Sequence, residues 1–195
     1  MPTVTEKDIC LDFPPGWAVV KYDGDTQTTN ASFYRQRIES KVQNVRGVDV
    51  VSQAPGPNER LLLIEIKDYR VSADSAEHKV SELRQTMLQK ALNTLSGLYA
   101  AARTRDPELH AVAAQLFRPR LRIEVILLLE RPPLPVAPVT VAQKLRRQNS
   151  LSALENLALD LTSTLAALGL EFHLRSTATM RPGDGWTSRR LLPVS

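Results

Sequence analysis

The stretch RLLLIEIKDYR, Arg60 to Arg70, decides how the rest of the chain is read. Its apolar run has the length and branched-aliphatic content of a strand buried on both faces, yet Glu65 and Lys67 stand near its end. Side chains two apart on a strand point the same way, so this carboxylate and this ammonium project together. Burying both is costly unless each is paired or meets an ion. The sequence therefore asks for a partner.

One lies just upstream. Gly47-Val48-Asp49-Val50-Val51 reads as a second short strand, and Pro55-Gly56-Pro57-Asn58-Glu59 supplies turn chemistry that folds it antiparallel onto Arg60 to Lys67. That pairing sets Asp49 near Glu65. Two carboxylates so close repel unless a cation neutralises them, and two carboxylates with a main-chain carbonyl, that of Ile66, suit a hard divalent ion such as Mg²⁺ or Mn²⁺. A lysine beside such an ion orients water and stabilises developing phosphorane charge.

Asp49 followed after a turn by Glu65-Ile66-Lys67 on an apolar strand resembles the signature of the restriction-endonuclease-like superfamily, the PD-(D/E)XK nucleases. The likeness spans roughly Ser32 to Ala102. It implies Asp49 and Glu65 as metal ligands and Lys67 as the catalytic lysine. Glu39, on an expected helix, matches the helical acidic residue that many members add, as a further metal ligand. Pairing of Glu39 with Arg35 or Gln43 is the competing reading. The chain departs from the family in having Val48 where the name-giving proline would stand, and in leaving room for one strand between Glu39 and Glu65.

Composition narrows the class without fixing it. With 195 residues, 43% hydrophobic and 24% charged, the chain has the material for one domain, expected over residues 1–180, followed by a basic tail over 181–195. Aromatics are 5%, which argues against a surface of stacking platforms for single-stranded bases. The net charge of +4 fits a polyanionic partner. A lone Cys10 excludes an intrachain disulfide and a cysteine-based zinc cage, and His78, His110 and His173 show no ligand spacing. With no membrane-length apolar run and a polar, charged start, a cytoplasmic location without membrane contact is expected.

Along the chain, Trp17 to Tyr22 reads as an edge strand, and Ala31 to Asn44 as a helix with a Tyr34, Ile38, Val42, Val45 stripe. The longest helix is expected from Ala76 to Arg103, burying Val80, Leu83, Met87, Ala91, Leu95, Leu98 and Ala102, widened by Leu88, Leu92 and Tyr99. Its other face carries Lys79, Arg84, Gln85, Gln89 and Lys90, with Gln85 or Gln89 available to a site. A short helical piece over Glu108 to Phe117 precedes a strand from Arg118 to Glu130, whose alternation sets Arg118, Arg120 and Arg122 on one face. That arginine row is one candidate phosphate contact; Lys144, Arg146 and Arg147 are the second. Pro132, Pro133, Pro135 and Pro138 form a stiff connector, Ser152 and Glu155 a capping box, and Glu171 to Thr177 a last strand.

These elements predict an α/β three-layer sandwich, a central mixed β-sheet flanked by helices, in agreement with the resemblance. The expected function is metal-dependent hydrolysis of DNA phosphodiesters, in restriction, repair or defence, with a homodimer or larger complex as the expected assembly. A catalytically inactive relative, serving as a DNA-binding or assembly module, is the alternative, and a structural adaptor docking through its tail is a third.

Overall fold

The computed structural model describes residues 1–24, 33–42, 45–56, 59–70, 76–134, 137 and 139–191, the first six residues of the long helix by their backbone alone. The elements are β1 (Thr3–Glu6), β2 (Ile9–Asp12), β3 (Ala18–Lys21), a π-type turn (Tyr34–Glu39), β4 (Val50–Ala54), β5 (Arg60–Asp68), α1 (Ala76–Thr104), α2 (His110–Ala113) running into a 3₁₀ turn (Ala114–Phe117), β6 (Arg122–Glu130), α3 (Val141–Ala166), β7 (Glu171–Arg175) and β8 (Thr187–Arg190). A further 3₁₀ turn, Pro182–Asp184, precedes β8.

The central sheet has five strands in the order β3-β4-β5-β6-β7. The first three form an antiparallel meander, and β6 and β7 then add in parallel. That change of sense follows from the connections. Only a few residues separate β4 from β5, whereas α1 and α3 supply the long crossovers that parallel strands need. β5 therefore sits at the centre, and its alternation faces two cores. Leu61 and Leu63 pack with Met87, Ala91 and Leu98 of α1 and with Leu157, Leu161 and Leu165 of α3. Leu62, Ile64 and Ile66 pack with Ile9, Leu11, Phe13 and Trp186.

The molecule is thus α/β around a five-stranded mixed sheet, with one correction to the sandwich expected above. Helices cover one face. A small antiparallel sheet, β1-β2-β8, covers the other. β8 comes from the segment that the sequence sets apart as a basic tail; it pairs with β2, and Trp186 beside it is buried against the Phe13 ring, with centroids 5.7 Å apart. Residues 192–195 of that tail lie outside the described residues.

Several local expectations shift in the same way. The helix expected over Ala31 to Asn44 is described as one π-type turn, with Tyr34 buried and Val42 exposed; positions 31, 32, 43 and 44 are outside the described residues. Leu92 and Tyr99 do not widen the buried stripe of α1 but are exposed; Val80 and Lys79 lie outside the described side chains. α3 begins at Val141 under a Thr140 and Gln143 capping box, not at Ser152, and runs unbroken through both segments. Pro135 and Pro138 of the connector are outside the described residues.

Gly97 permits the close approach of α1 to β3. A Cβ there would overlap the Tyr22 hydroxyl and lie 2.6 Å from Ile38 Cδ1, while the Tyr22 hydroxyl is itself buried without a hydrogen-bond partner among the described residues. Gly97→Ala is expected to lower Tm by several degrees, although alanine is favoured over glycine by about 1 kcal/mol inside a helix. Tyr22→Phe alone should leave Tm unchanged or raised, and should recover most of the loss in the double variant. Thermal melts of the four proteins check this; a double variant as unstable as Gly97→Ala would remove the close-approach explanation.

Candidate functional site

The site lies where β4 begins and β5 ends. In the β4/β5 register Val50 faces Ile64, so the chain before Val50 runs beside the residues after Ile64. There the Asp49 side chain takes over the ladder: its Oδ2 accepts the Ile66 N–H at 2.6 Å. A backbone bond from Tyr22 N–H to the Asp49 carbonyl, 2.9 Å, extends the β3/β4 pairing and brings Asp23 alongside. α1 grips the same segment from the helix side, its Thr94 hydroxyl accepting the Val48 N–H at 3.0 Å.

Glu65, on the helix-facing side of β5, is fully buried. Two lysines hold it. Lys67 Nζ is 2.5 Å from Oε1. Lys90 Nζ, from α1, is 2.7 Å from each oxygen and 3.8 Å from Asp49 Oδ1. Burial, and then the charge on Asp49, push the Glu65 carboxyl above the usual range, against the pull of Lys67 and Lys90. With two ammonium groups this close we assign it as ionised near neutral pH. Burial works to lower the Lys67 pKa, but the Glu65 charge and hydrogen bond outweigh it, so Lys67 is raised and stays protonated.

Asp23 completes the cluster. Burial, followed by the charge of Asp49, pushes its carboxyl up to about 7, and it shares a hydrogen bond with Asp49. Its Oδ1 is buried without a hydrogen-bond partner among the described residues. A cleft of about 640 Å³ opens beside these groups, lined by Asp23, Lys67 and Lys90 and, further out, by Lys7, Arg35 and Arg46. The cleft is therefore charged, with Glu39, Asp68 and Glu82 lining it beside those cations.

The structure brings Asp49, Glu65, Ile66 and Lys67 together and leaves the other sequence candidates apart. Glu39 lines the cleft, but its carboxylate is held by Arg35 one turn earlier, the competing reading. Arg118 and Arg120 precede β6 and are not on a strand; Arg118 pairs with Glu59 and Arg120 is exposed. Arg122 opens β6, paired with Glu171 at 2.8 Å. In the β5/β6 register Arg122 sits opposite Arg60 and Lys67 opposite Leu129, seven residues on, so this row is roughly 23 Å from the lysine along the sheet. Lys144 and Arg146 are exposed on the first turns of α3, and Arg147 is half-buried there.

Lys90 is the residue that the sequence reading misplaces. It was expected on the solvated face of α1 with Gln85 and Gln89, both of which are exposed. Lys90 lies four before Thr94 and three after Met87, both fully buried, and that spacing is the signal for the inner face. Asp23 gave no signal beyond its place at a strand end.

A second group could hold a metal ion. Ligand atoms of Glu124, Glu171 and His173, the last set aside on sequence spacing, all lie within 4.8 Å of one another. Guanidinium groups already engage it: Arg60 binds Glu124 through both oxygens at 2.6 and 2.7 Å, and Arg122 binds Glu171 at 3.0 and 2.8 Å. Burial raises the Glu124 pKa, but hydrogen bonds from His173 and Arg60 outweigh it and hold the carboxyl at about 2.

The Asp23 assignment carries a sign. Its folded pKa of about 7 exceeds the ordinary 3.8, so its contribution to stability is present below about pH 4 and is lost as pH rises through about 7. In metal-free buffer Asp23→Asn, which mimics the protonated form, should exceed wild type in Tm at pH 8 by about 2–4 °C, the shift of roughly 1 kcal/mol in a chain of this size. The gap should narrow at pH 5. A gap independent of pH would show that Asp23 is not the buried acid.

Comparison of the chain with protein families, with curated proteins and with solved structures found no match.

Proposed function

We propose that this chain is a metal-dependent nuclease of the restriction-endonuclease-like type that hydrolyses DNA phosphodiesters at the Asp49, Glu65 and Lys67 site. The observation that carries the reading is the hydrogen bond from Ile66 N–H to Asp49, which sets one carboxylate beside a second, buried one and a protonated lysine at the edge of a charged cleft. An antiparallel meander followed by a helical crossover to a parallel strand, with the charged cluster at the β4/β5 junction, supports the same fold assignment.

The donor set fits a hard divalent cation. Asp49, Glu65 and the Ile66 carbonyl are oxygen donors, and Asp23 adds a buried oxygen without a partner among the described residues, so Asp23 replaces Glu39 as the third carboxylate in this proposal. A bound Mg²⁺ or Mn²⁺ would supply Lewis acidity and a more acidic water. The remaining work falls to side chains. Lys67 is about a quarter exposed while its partner Glu65 is fully buried, so the ammonium is the part of the pair that meets substrate. Being protonated, it acts as a stabiliser of developing negative charge and not as a base. Lys7 and Arg46, both exposed at the rim, take the role of phosphate contacts that the sequence reading gave to Arg118, Arg120 and Arg122.

The inactive-module reading draws on one observation, that Lys67 and Lys90 already balance the charges of Asp49 and Glu65. Cleavage separates the two. Plasmid DNA should be cut with Mg²⁺ or Mn²⁺ and spared in EDTA, and Asp49→Ala or Lys67→Ala should lower the rate by about 100-fold or more. Arg120→Ala, at the far end of the sheet, should cut as wild type. Cleavage that survives EDTA or persists in Asp49→Ala would sink the proposal.

A further inference from the structure

We infer that Lys90 is a built-in counter-cation that occupies the divalent-metal seat, so that a metal ion loads only by displacing its ammonium into the cleft. The inference rests on the proposed metal site and adds its regulation. Lys90 Nζ is 2.7 Å from both Glu65 oxygens and 3.8 Å from Asp49 Oδ1, which places it between the two carboxylates that a shared cation would bridge. The side chain is buried, yet it lines the cleft, so its ammonium has a route outward.

Charge makes the competition unavoidable. Asp49 and Glu65 are balanced by Lys67 and Lys90, so adding a dication without moving an ammonium leaves a positive excess, whether or not Asp23 is ionised, in a site where Glu65 is fully buried. Lys67 is the poorer candidate to leave. Its side chain is 28% exposed and its ammonium, 2.5 Å from Oε1, already reaches the cleft, whereas the buried Lys90 spans both oxygens and lies 3.8 Å from Asp49 Oδ1. A lysine suits this role because it is a compact charge on a flexible stem; a guanidinium, with its planar fork, would lock onto the carboxylate.

The same step couples metal to substrate. An ammonium expelled from Glu65 needs a new anion, and the cleft it enters is where a phosphodiester would lie. Metal and polyanion should therefore favour each other's binding through Lys90.

Calorimetric titration of Mn²⁺ into metal-free wild type, Lys90→Met and Lys90→Arg tests this without reference to turnover. Lys90→Met keeps the bulk of the stem and removes the charge, so its Mn²⁺ affinity should be about tenfold or more tighter than wild type. Lys90→Arg should be weaker than wild type. Should Lys90→Met fail to fold without metal, the comparison of wild type with Lys90→Arg carries the test, with folding followed by circular dichroism. Equal affinities overturn the inference and leave the nuclease reading standing if EDTA still abolishes cleavage. Tight binding by Lys90→Met with none by wild type supports the inference, and the nuclease reading then stands or falls on cleavage of plasmid DNA with Mg²⁺ or Mn²⁺. Absence of binding in all three overturns both.

Discussion

Everything at the β4/β5 end depends on how a fully buried carboxylate is kept in the central strand. Glu65 replaces an aliphatic residue in the run Leu61 to Ile66, on the face that packs α1, and burial disfavours its charge. Two covalently separate elements answer that cost: β5 itself through Lys67, and α1 through Lys90. The second contact also fixes how α1 lies. Lys90 and Thr94, one turn apart, engage Glu65 and the Val48 N–H, while Gly97, less than a turn further, lets the helix come down onto Tyr22. Packing of the helical layer and charge balance at the site are therefore one constraint. A change at Glu65 would reach the core through α1 as directly as it reaches the cleft.

The sequence made β5, its charged pair and the hairpin to β4 legible because each rests on local rules: an apolar run, period-two projection and turn residues. The register then follows, since shifting it by one residue would turn the whole apolar set over. Met87 was legible for the same reason, at helical period. What escaped was non-local. β1, β2 and β8 are four residues each, and β8 pairs with β2 across nearly the whole chain, Arg190 facing Ile9. Arg189 and Arg190 read as a loose basic tail because their acidic partners, Asp12 and Asp8, lie at the other end of the sequence. Lys90 was misread because a lysine on a helix is ordinarily solvated, and only the buried Glu65 across the interface turns it inward.

Two buried glutamates on neighbouring central strands show how partner chemistry separates a structural charge from an available one. Glu124 and Glu65 are 1% and 0% exposed and lie three positions apart in the β5/β6 register, on opposite faces of the sheet. Glu124 is closed by the Arg60 fork, and Arg60 also donates to the Gly183 and Asp184 carbonyls at 3.4 and 3.2 Å. Asp184 is in turn held by Arg175 at 2.9 Å. That network staples the turn before β8 to the large sheet, and it holds the Glu124 carboxyl at about 2, deep in its ionised form, with His173 contributing. Removing a planar, bidentate guanidinium to admit a metal would unpin the C-terminal strand.

Glu65 is the converse. Its partners are ammonium groups, point charges on flexible stems that make no fork and can be withdrawn singly. Its carboxyl is raised, not lowered, because burial and Asp49 oppose the lysines. It borders a cleft through Lys67 and Lys90, whereas Glu124 is covered by Arg60. Although the group of Glu124, Glu171 and His173 has the compact set of ligand atoms, its charges are already used to hold the fold together. The looser set at Asp23, Asp49 and Glu65 keeps a buried oxygen without a partner among the described residues, and its cations stand on flexible stems. Chemistry that requires charge to be rearranged belongs at that looser set.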